Sequence, residues 1–222
     1  MLKAPYAAIT AALFMMLASA ASYGADPSGL PLVPGSDPAR VAECADGRAY
    51  VYPAYIIYTR KSPYFEGQDI YVFKPRGPVE DPCALASREA YYTINAGEFG
   101  GANTFVGMHG VNLFIDEWPG RDHKRLLAVD ADKKSLVYFD WYADPAIEGG
   151  ALRYNRVLNA SKATKKEIPC PDAEKWEKEG FAVLYVEKMT LDLATMKETR
   201  SGKFFCEQAA PITKRAPDYT IH

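Results

Sequence analysis

Between residues 49 and 206 the chain is cut into short runs of aromatic and β-branched side chains, each closed within a few residues by Gly, Pro or Asp. Such runs suit a pleated, half-buried surface, and punctuation this frequent leaves no room for long helices. Residues 49–58 carry Tyr50, Val51, Tyr52, Tyr55, Ile56, Ile57 and Tyr58, with Pro53 implying an edge or a break. Further strands are predicted at 69–74, 91–94, 111–115, 126–129, 136–142, 152–157, 181–193 and 199–206, with Pro119-Gly120 and the polar run 130–134 as turns between them. One stretch has helix punctuation: residues 173–179, with Pro171 and the capping residue Asp172 before it and Gly180 after it. The expected fold is all-β, an antiparallel meander, blade-like or in two layers, with that short helix as an accessory. A faint repeat supports the meander. Leu127-Ala128-Val129-Asp130 and Thr190-Leu191-Asp192 both read as an apolar strand, an Asp at the turn, a Lys, and another apolar strand.

The N-terminus reads as an address. Lys3, an apolar run over 7–18 and the small residues Ala18, Ser19, Ala20 and Ala21 form the three-part pattern of a secretory signal peptide. Cleavage fits after Ala20 and less well after Ala25, where Tyr23 would occupy the −3 position. Residues 1–20 are therefore assigned to the signal, 21–42 to a flexible Pro- and Gly-rich leader, 43–210 to a single β-rich domain and 211–222 to a tail. No second long apolar stretch follows, so the mature chain is expected in the periplasm or secreted, with no membrane span. Four lone cysteines, Cys44, Cys83, Cys170 and Cys206, fit an oxidising compartment. Proximity favours the pairs Cys44–Cys83 and Cys170–Cys206. The absence of any CxxC pair argues against a zinc ribbon.

Composition excludes other classes. With 26 basic and 28 acidic residues the formal charge is −2, which gives no footprint for nucleic acid. There is no GxSxG elbow, no GxxxxGK or GxGxxG loop and no HExxH helix. No cofactor, metal site or catalytic residue is predicted, and the chain is not read as an enzyme. Asp130-Ala131-Asp132 opens like a calcium loop, but Ser135 and Trp141 stand where that loop needs Gly and Glu, so a hairpin turn is expected there.

Candidate recognition residues fall in two segments and one isolated position. The Gly-rich stretch 95–101, continuing to Asn103, reads as an exposed flexible loop carrying Glu98 and Phe99. Asp116, Glu117, Trp118, Asp122 and His123 cluster around Pro119-Gly120 in a solvated turn, where neighbours on one strand, such as Asp116 and Glu117, face opposite sides. Trp118 is the candidate exposed ring for stacking on sugar. His109 is flanked by Gly107 and Gly110, which would let a ligand approach closely.

The arrangement of export signal, early Cys44, strand pair reaching Cys83, Gly-bearing loop, Asp-turn meander and late Cys206 resembles the layout of small periplasmic immunity proteins that neutralise type VI-delivered cell-wall amidases. The resemblance implies an all-β protein with a loop that occupies the catalytic cleft of its enzyme. By position in the layout, that loop would be 98–103 or 116–123. The leading expectation is an exported, non-catalytic inhibitor or immunity-like protein whose partner is a cell-wall hydrolase or effector. The alternatives are a module binding carbohydrate or envelope glycan, and a hydrolase with a carboxylate–His site around Asp116, Glu117 and His109.

Overall fold

A computed structural model of the chain describes residues 38–118, 124–158 and 167–208; the signal, most of the leader, the tail and the positions of Asp122 and His123 lie outside the described residues. The fold is all-β and antiparallel. Strands β1 (Arg40–Glu43), β2 (Gly47–Val51), β3 (Ile56–Lys61), β4 (Gln68–Phe73) and β5 (Tyr92–Ile94) form one sheet in sequential order. Strands β6 (Ala102–His109), β7 (Asn112–Trp118), β8 (Lys124–Asp130), β9 (Ser135–Glu148), β10 (Ala151–Val157), β11 (Val183–Asp192) and β12 (Lys197–Gln208) form a second, also in sequential order. A 3₁₀ turn at Pro82–Ser87 and the helix α1 (Ala173–Lys178) are described in full, and Glu167 is also helical.

Period-two alternation sorts the side chains into layers. From the first sheet, Tyr50, Ile57, Ile70, Val72 and Ile94 meet Phe105, Leu113, Ile115, Leu127 and Val129 of the second in the main core. The other face of the first sheet packs Ala49, Ile56, Tyr58 and Phe73 beneath Leu85 of the 3₁₀ turn. The opposite face of β6–β8 is buried too: Val106, Phe114, Leu126 and Ala128 pack with Tyr142, Leu152, Tyr154, Met189 and Leu191. The seven-stranded sheet therefore curls so that β10 and β11 cover the back of β6–β8. Register shifts at Ala128/Val129 and Arg153/Asn155 and the positive φ of Asp144 within β9 provide the bend.

Both expected disulfides are present, Cys44–Cys83 and Cys170–Cys206, and the described residues hold no free cysteine. Helix α1 lies where Pro171 and Gly180 place it. Its end is a Schellman motif: Gly180 N–H donates to the Glu177 carbonyl and Phe181 N–H to the Trp176 carbonyl, with Gly180 at φ +86°. The Asp172 side chain, expected to cap it, makes no capping bond.

Two expectations are corrected. The leader was placed up to residue 42, but Arg40–Glu43 already pairs with β2. The Gly-rich loop was read as continuing to Asn103, but residues 102 and 103 already belong to the strand β6 (102–109), which was not predicted. Gly107 is accommodated at a bulge opposite β7, and the strand is buried on both faces, which erases the alternation that marks a strand.

The faint repeat has an atomic basis. Asp130 Oδ1 accepts from the Asp132 and Lys133 amides (3.0 and 2.9 Å), and Asp192 Oδ1 accepts from the Ala194 and Thr195 amides (3.1 and 2.7 Å). Each turn then passes through a left-handed residue, Lys134 at φ 54° and Met196 at φ 57°, before the next strand begins. Amides donating to the ionised form hold both carboxyls below the usual range. A depressed carboxyl pKa gives stability that is present above the unfolded value, near 4, and is lost as pH falls. Asp130→Ala and Asp192→Ala are expected to lower Tm by a few degrees at pH 7. Asn, which keeps the acceptor, recovers most of that loss, and thermal melts between pH 3 and 7 should show that the Asn variants have lost part of the acid sensitivity.

Candidate functional site: a loop-bearing end

Because both sheets are meanders, the β3–β4 connection (62–67), the β5–β6 connection (95–101), the end of β7 at Trp118 and the start of β8 at Lys124 lie at one end of the molecule. The two segments picked out from sequence are therefore neighbours. Ala102 pairs with Trp118 and Asn103 with Glu117.

The join between the sheets holds these loops. Gly67 bridges Asn103 in parallel fashion. A Cβ on Gly67, whose φ is +100°, would lie 2.5 Å from the Asn103 nitrogen, so only glycine fits this approach. Gln68 Oε1 accepts from the Phe105 amide, Asp69 Oδ1 from the Ala96 amide, and Asn103 Nδ2 donates to the Asn95 carbonyl, each at 3.0 Å. Asn103 is thus a buried element of the seam in β6 rather than a loop residue. Glu98 closes its own loop by accepting from the Asn95 amide at 2.9 Å.

Arg125 at the start of β8 anchors the rest. Its Nε donates to Glu117 Oε2, its Nη2 donates to the Phe99 carbonyl, and its guanidinium lies over the Trp141 ring, 4.9 Å from the centroid. Phe99 is half-buried against the main core. The loop 95–101, expected to be flexible, is pinned at both ends and from beneath.

Asp116 and Glu117 face opposite sides as expected, but neither is in a solvated turn. The sheet is covered on both faces, so both are buried. Asp116 accepts from Lys124 Nζ at 2.6 Å and from the Tyr142 hydroxyl at 2.5 Å. That contact and above all burial push the Tyr142 phenol up. Glu117 is fully buried; desolvation raises its carboxyl pKa although Arg125 opposes the shift. The Gly101 amide also supports the charge, but Oε1 has no partner within hydrogen-bond geometry among the described residues. Trp118, the last residue of β7, is half-exposed at this end. His109 is elsewhere: six residues along β6 from Asn103, about 20 Å away, near the β6–β7 turn. The carboxylate–His grouping considered from sequence is therefore not brought together. Among the described residues no group of three or more His, Cys, Asp or Glu could hold a metal ion.

Sequence reading missed the most exposed rings at this end. Tyr64 is 86% exposed and Phe65 62%. Their loop is closed by Ser62 N–H donating to the Gly67 carbonyl at 3.1 Å, and the Phe65 ring lies over Gly97. Pro63 and Gly67 are turn residues, but composition does not tell a presented aromatic from a strand aromatic.

No family model matches the chain, and no curated protein matches it. Among solved structures, a europium-containing methanol dehydrogenase is similar at a TM-score of 0.31 and 9% identity over 75% of this chain. The match spans 26% of that enzyme, and a likeness this slight carries no argument about fold or activity.

Proposed function

We propose that this chain is an exported, non-catalytic binding protein that docks the end carrying loops 62–67 and 95–101 onto a protein partner, in the manner of an inhibitor or immunity protein. The observation that carries the reading is the pair Tyr64 and Phe65, exposed on a loop whose backbone is already fixed by Gly67 and Asn103. Large rings on a preorganised loop lose little entropy on binding and are the usual anchors of an interface. The ionisable groups beneath them are engaged with one another: Glu117 with Arg125, and Asp116 with Lys124 and Tyr142. Export rests on the signal pattern of residues 1–20 and fits the two disulfides. No described helix is long and apolar enough to cross a membrane. The choice of a cell-wall hydrolase or effector as partner rests on the layout resemblance.

The test is capture of cell-wall hydrolases and co-encoded effectors by the mature chain, followed by affinity measurement on Tyr64→Ala and Phe65→Ala. Each substitution should weaken a sub-micromolar complex by about tenfold or more with Tm unchanged. Unchanged affinity in both, or no partner of that affinity, would count against the reading. A second reading, a glycan-binding module, is favoured by Trp118, whose ring is half-exposed at the same end. It requires glycan retention that Trp118→Ala abolishes.

A further inference from the structure

At the end opposite loops 62–67 and 95–101, the chain leaves β4 at Lys74 and forms a strap over residues 75–79, exposed at 76–78. On one side of it is a cavity of about 500 Å³ between the strap and residues 85–91; on the other is a second, of about 400 Å³, against Val51, Tyr52, Pro53 and Ile56. The strap sequence, Pro75-Arg76-Gly77-Pro78, explains why it does not collapse onto the sheet: the prolines fix φ and withdraw two amide donors from any ladder.

The larger cavity combines two features. Its inner lining is apolar, with Phe73 and Leu85 buried and Val79 and Ala90 packed against them. Its rim is basic, with Lys74, Arg76 and Arg88 set against one acid, Glu89. Lys74 is already neutralised: its Nζ donates to Asp132 Oδ1 at 2.5 Å, and Asp132 also accepts from the Tyr55 hydroxyl at 2.5 Å. The Arg76 and Arg88 side chains are exposed and hydrogen-bond no described residue. The segment bearing Arg88 is held in place. Its amide donates to the Leu85 carbonyl at 2.9 Å, the 3₁₀ turn before it is capped by Asp81 accepting from the Cys83 amide at 3.0 Å, and Cys83 is bonded to Cys44. Tyr91 closes the far wall, fixed by its amide bond to the Val72 carbonyl and by Lys134 Nζ, 3.8 Å from its ring centroid.

We propose that this cleft binds an amphipathic monocarboxylate, a short apolar body carrying one carboxylate, with the body on Phe73, Val79 and Leu85 and the carboxylate held by Arg76 and Arg88. Planar guanidinium forks match a carboxylate in a bidentate manner. Two unpaired cations facing one acid suit a single negative charge rather than a polyanion. The apolar lining explains why a simple inorganic anion would be a poor occupant. The same chemistry occurs in a medium-chain fatty acid and in a peptide ending in an apolar residue.

Nitrogen-15 NMR titration of the mature chain separates these cases, reading the Arg76 and Arg88 Nε–H signals and the backbone amides of 73–91. The probes are octanoate and N-acetyl-leucine, with octanol and N-acetyl-leucinamide as neutral counterparts. At least one acid should saturate the cleft and bind about tenfold or more tightly than its neutral counterpart, and the tighter acid identifies the source. Arg76→Gln and Arg88→Gln should each weaken that acid by about tenfold without moving Tm, while Tyr64→Ala leaves it unchanged. Equal binding of acid and neutral counterpart, wild-type affinity in both Gln variants, or no saturable shift with either acid up to about 10 mM would overturn the proposal. Because the cleft and loops 62–67 and 95–101 are at opposite ends, failure of one leaves the other standing.

Discussion

Loss of both disulfides is expected to leave the domain unfolded at 37 °C. The bridges close segments with sequence separations of 39 and 36 residues, each worth about 4 kcal/mol in the chain-entropy account. Together they approach the entire stability of an ordinary domain, about 5–15 kcal/mol. Thermal melts with and without reductant should show a cooperative transition lost or moved down by tens of degrees. The paired variants Cys44→Ser/Cys83→Ser and Cys170→Ser/Cys206→Ser should each lose a similar global amount, because the loops are nearly equal. Their local consequences should differ. Cys44–Cys83 ties β1 to the 3₁₀ turn over the Ala49, Ile56, Tyr58 and Phe73 layer, so its loss loosens the outer face of the first sheet. Cys170–Cys206 ties the segment before α1 to the edge strand β12, whose Phe205 packs on the small cluster around Leu184 and Val186. Its loss should add, beyond the global fall, faster local hydrogen exchange in β12 and α1. A reduced protein that melts like the oxidised one would show that the bridges are incidental.

Much of this architecture was legible because its signals are local. Pro53 broke the first aromatic run where β2 ends and β3 has yet to begin, Gly180 ended the helix, and Asp130 and Asp192 marked equivalent turns. β6 was missed because it is covered on both faces by other layers, so it lacks the alternation of a half-exposed strand, and its glycines outweighed its apolar residues; β7 was predicted over 111–115 and runs on to Trp118. A strand buried on both sides carries no period to read. Four-residue β1 was hidden by the Pro- and Gly-rich segment just before it.

The site was legible only as segments. Sequence pointed to 98–103 and 116–123 and placed Asp116 and Glu117 on opposite faces, but it could not show that both faces are interior. That inverted the roles of Asn103, Asp116 and Glu117, which build the platform instead of presenting themselves. Nor could it find Arg125, whose role exists only because β8 returns beside Glu117 and beneath Phe99, or the rings of Tyr64 and Phe65, which the β3–β4 turn carries to the same end. Long-range pairing made the site, and pairing across sheets is what a single sequence least reveals.

The Glu117–Arg125 pair permits a test that separates its charge from its shape. The carboxylate is fully buried, while the guanidinium keeps partial access to water. Removing the cation strands a buried anion, whereas neutralising the anion leaves a cation that water can still reach. Arg125→Met should therefore cost about 3–5 kcal/mol, and Glu117→Gln, which keeps an acceptor for Arg125 Nε, about 1 kcal/mol. The pH dependence has a definite sign. The folded carboxyl already titrates above its usual value because of desolvation. Its contribution is therefore most favourable below the unfolded pKa, where it is neutral in both states, and declines as pH rises through the folded value. Without Arg125 the folded value rises further, so the deficit of Arg125→Met relative to wild type should be small near pH 4 and grow toward pH 8. A deficit independent of pH would mean that lost packing on Trp141, not the stranded charge, is the cause. The same variant releases the Phe99 carbonyl. Faster exchange of amides 97–101 together with weaker partner binding, at temperatures where the domain stays folded, would show that Arg125 positions the loop for docking. Glu117→Gln should leave both near wild type.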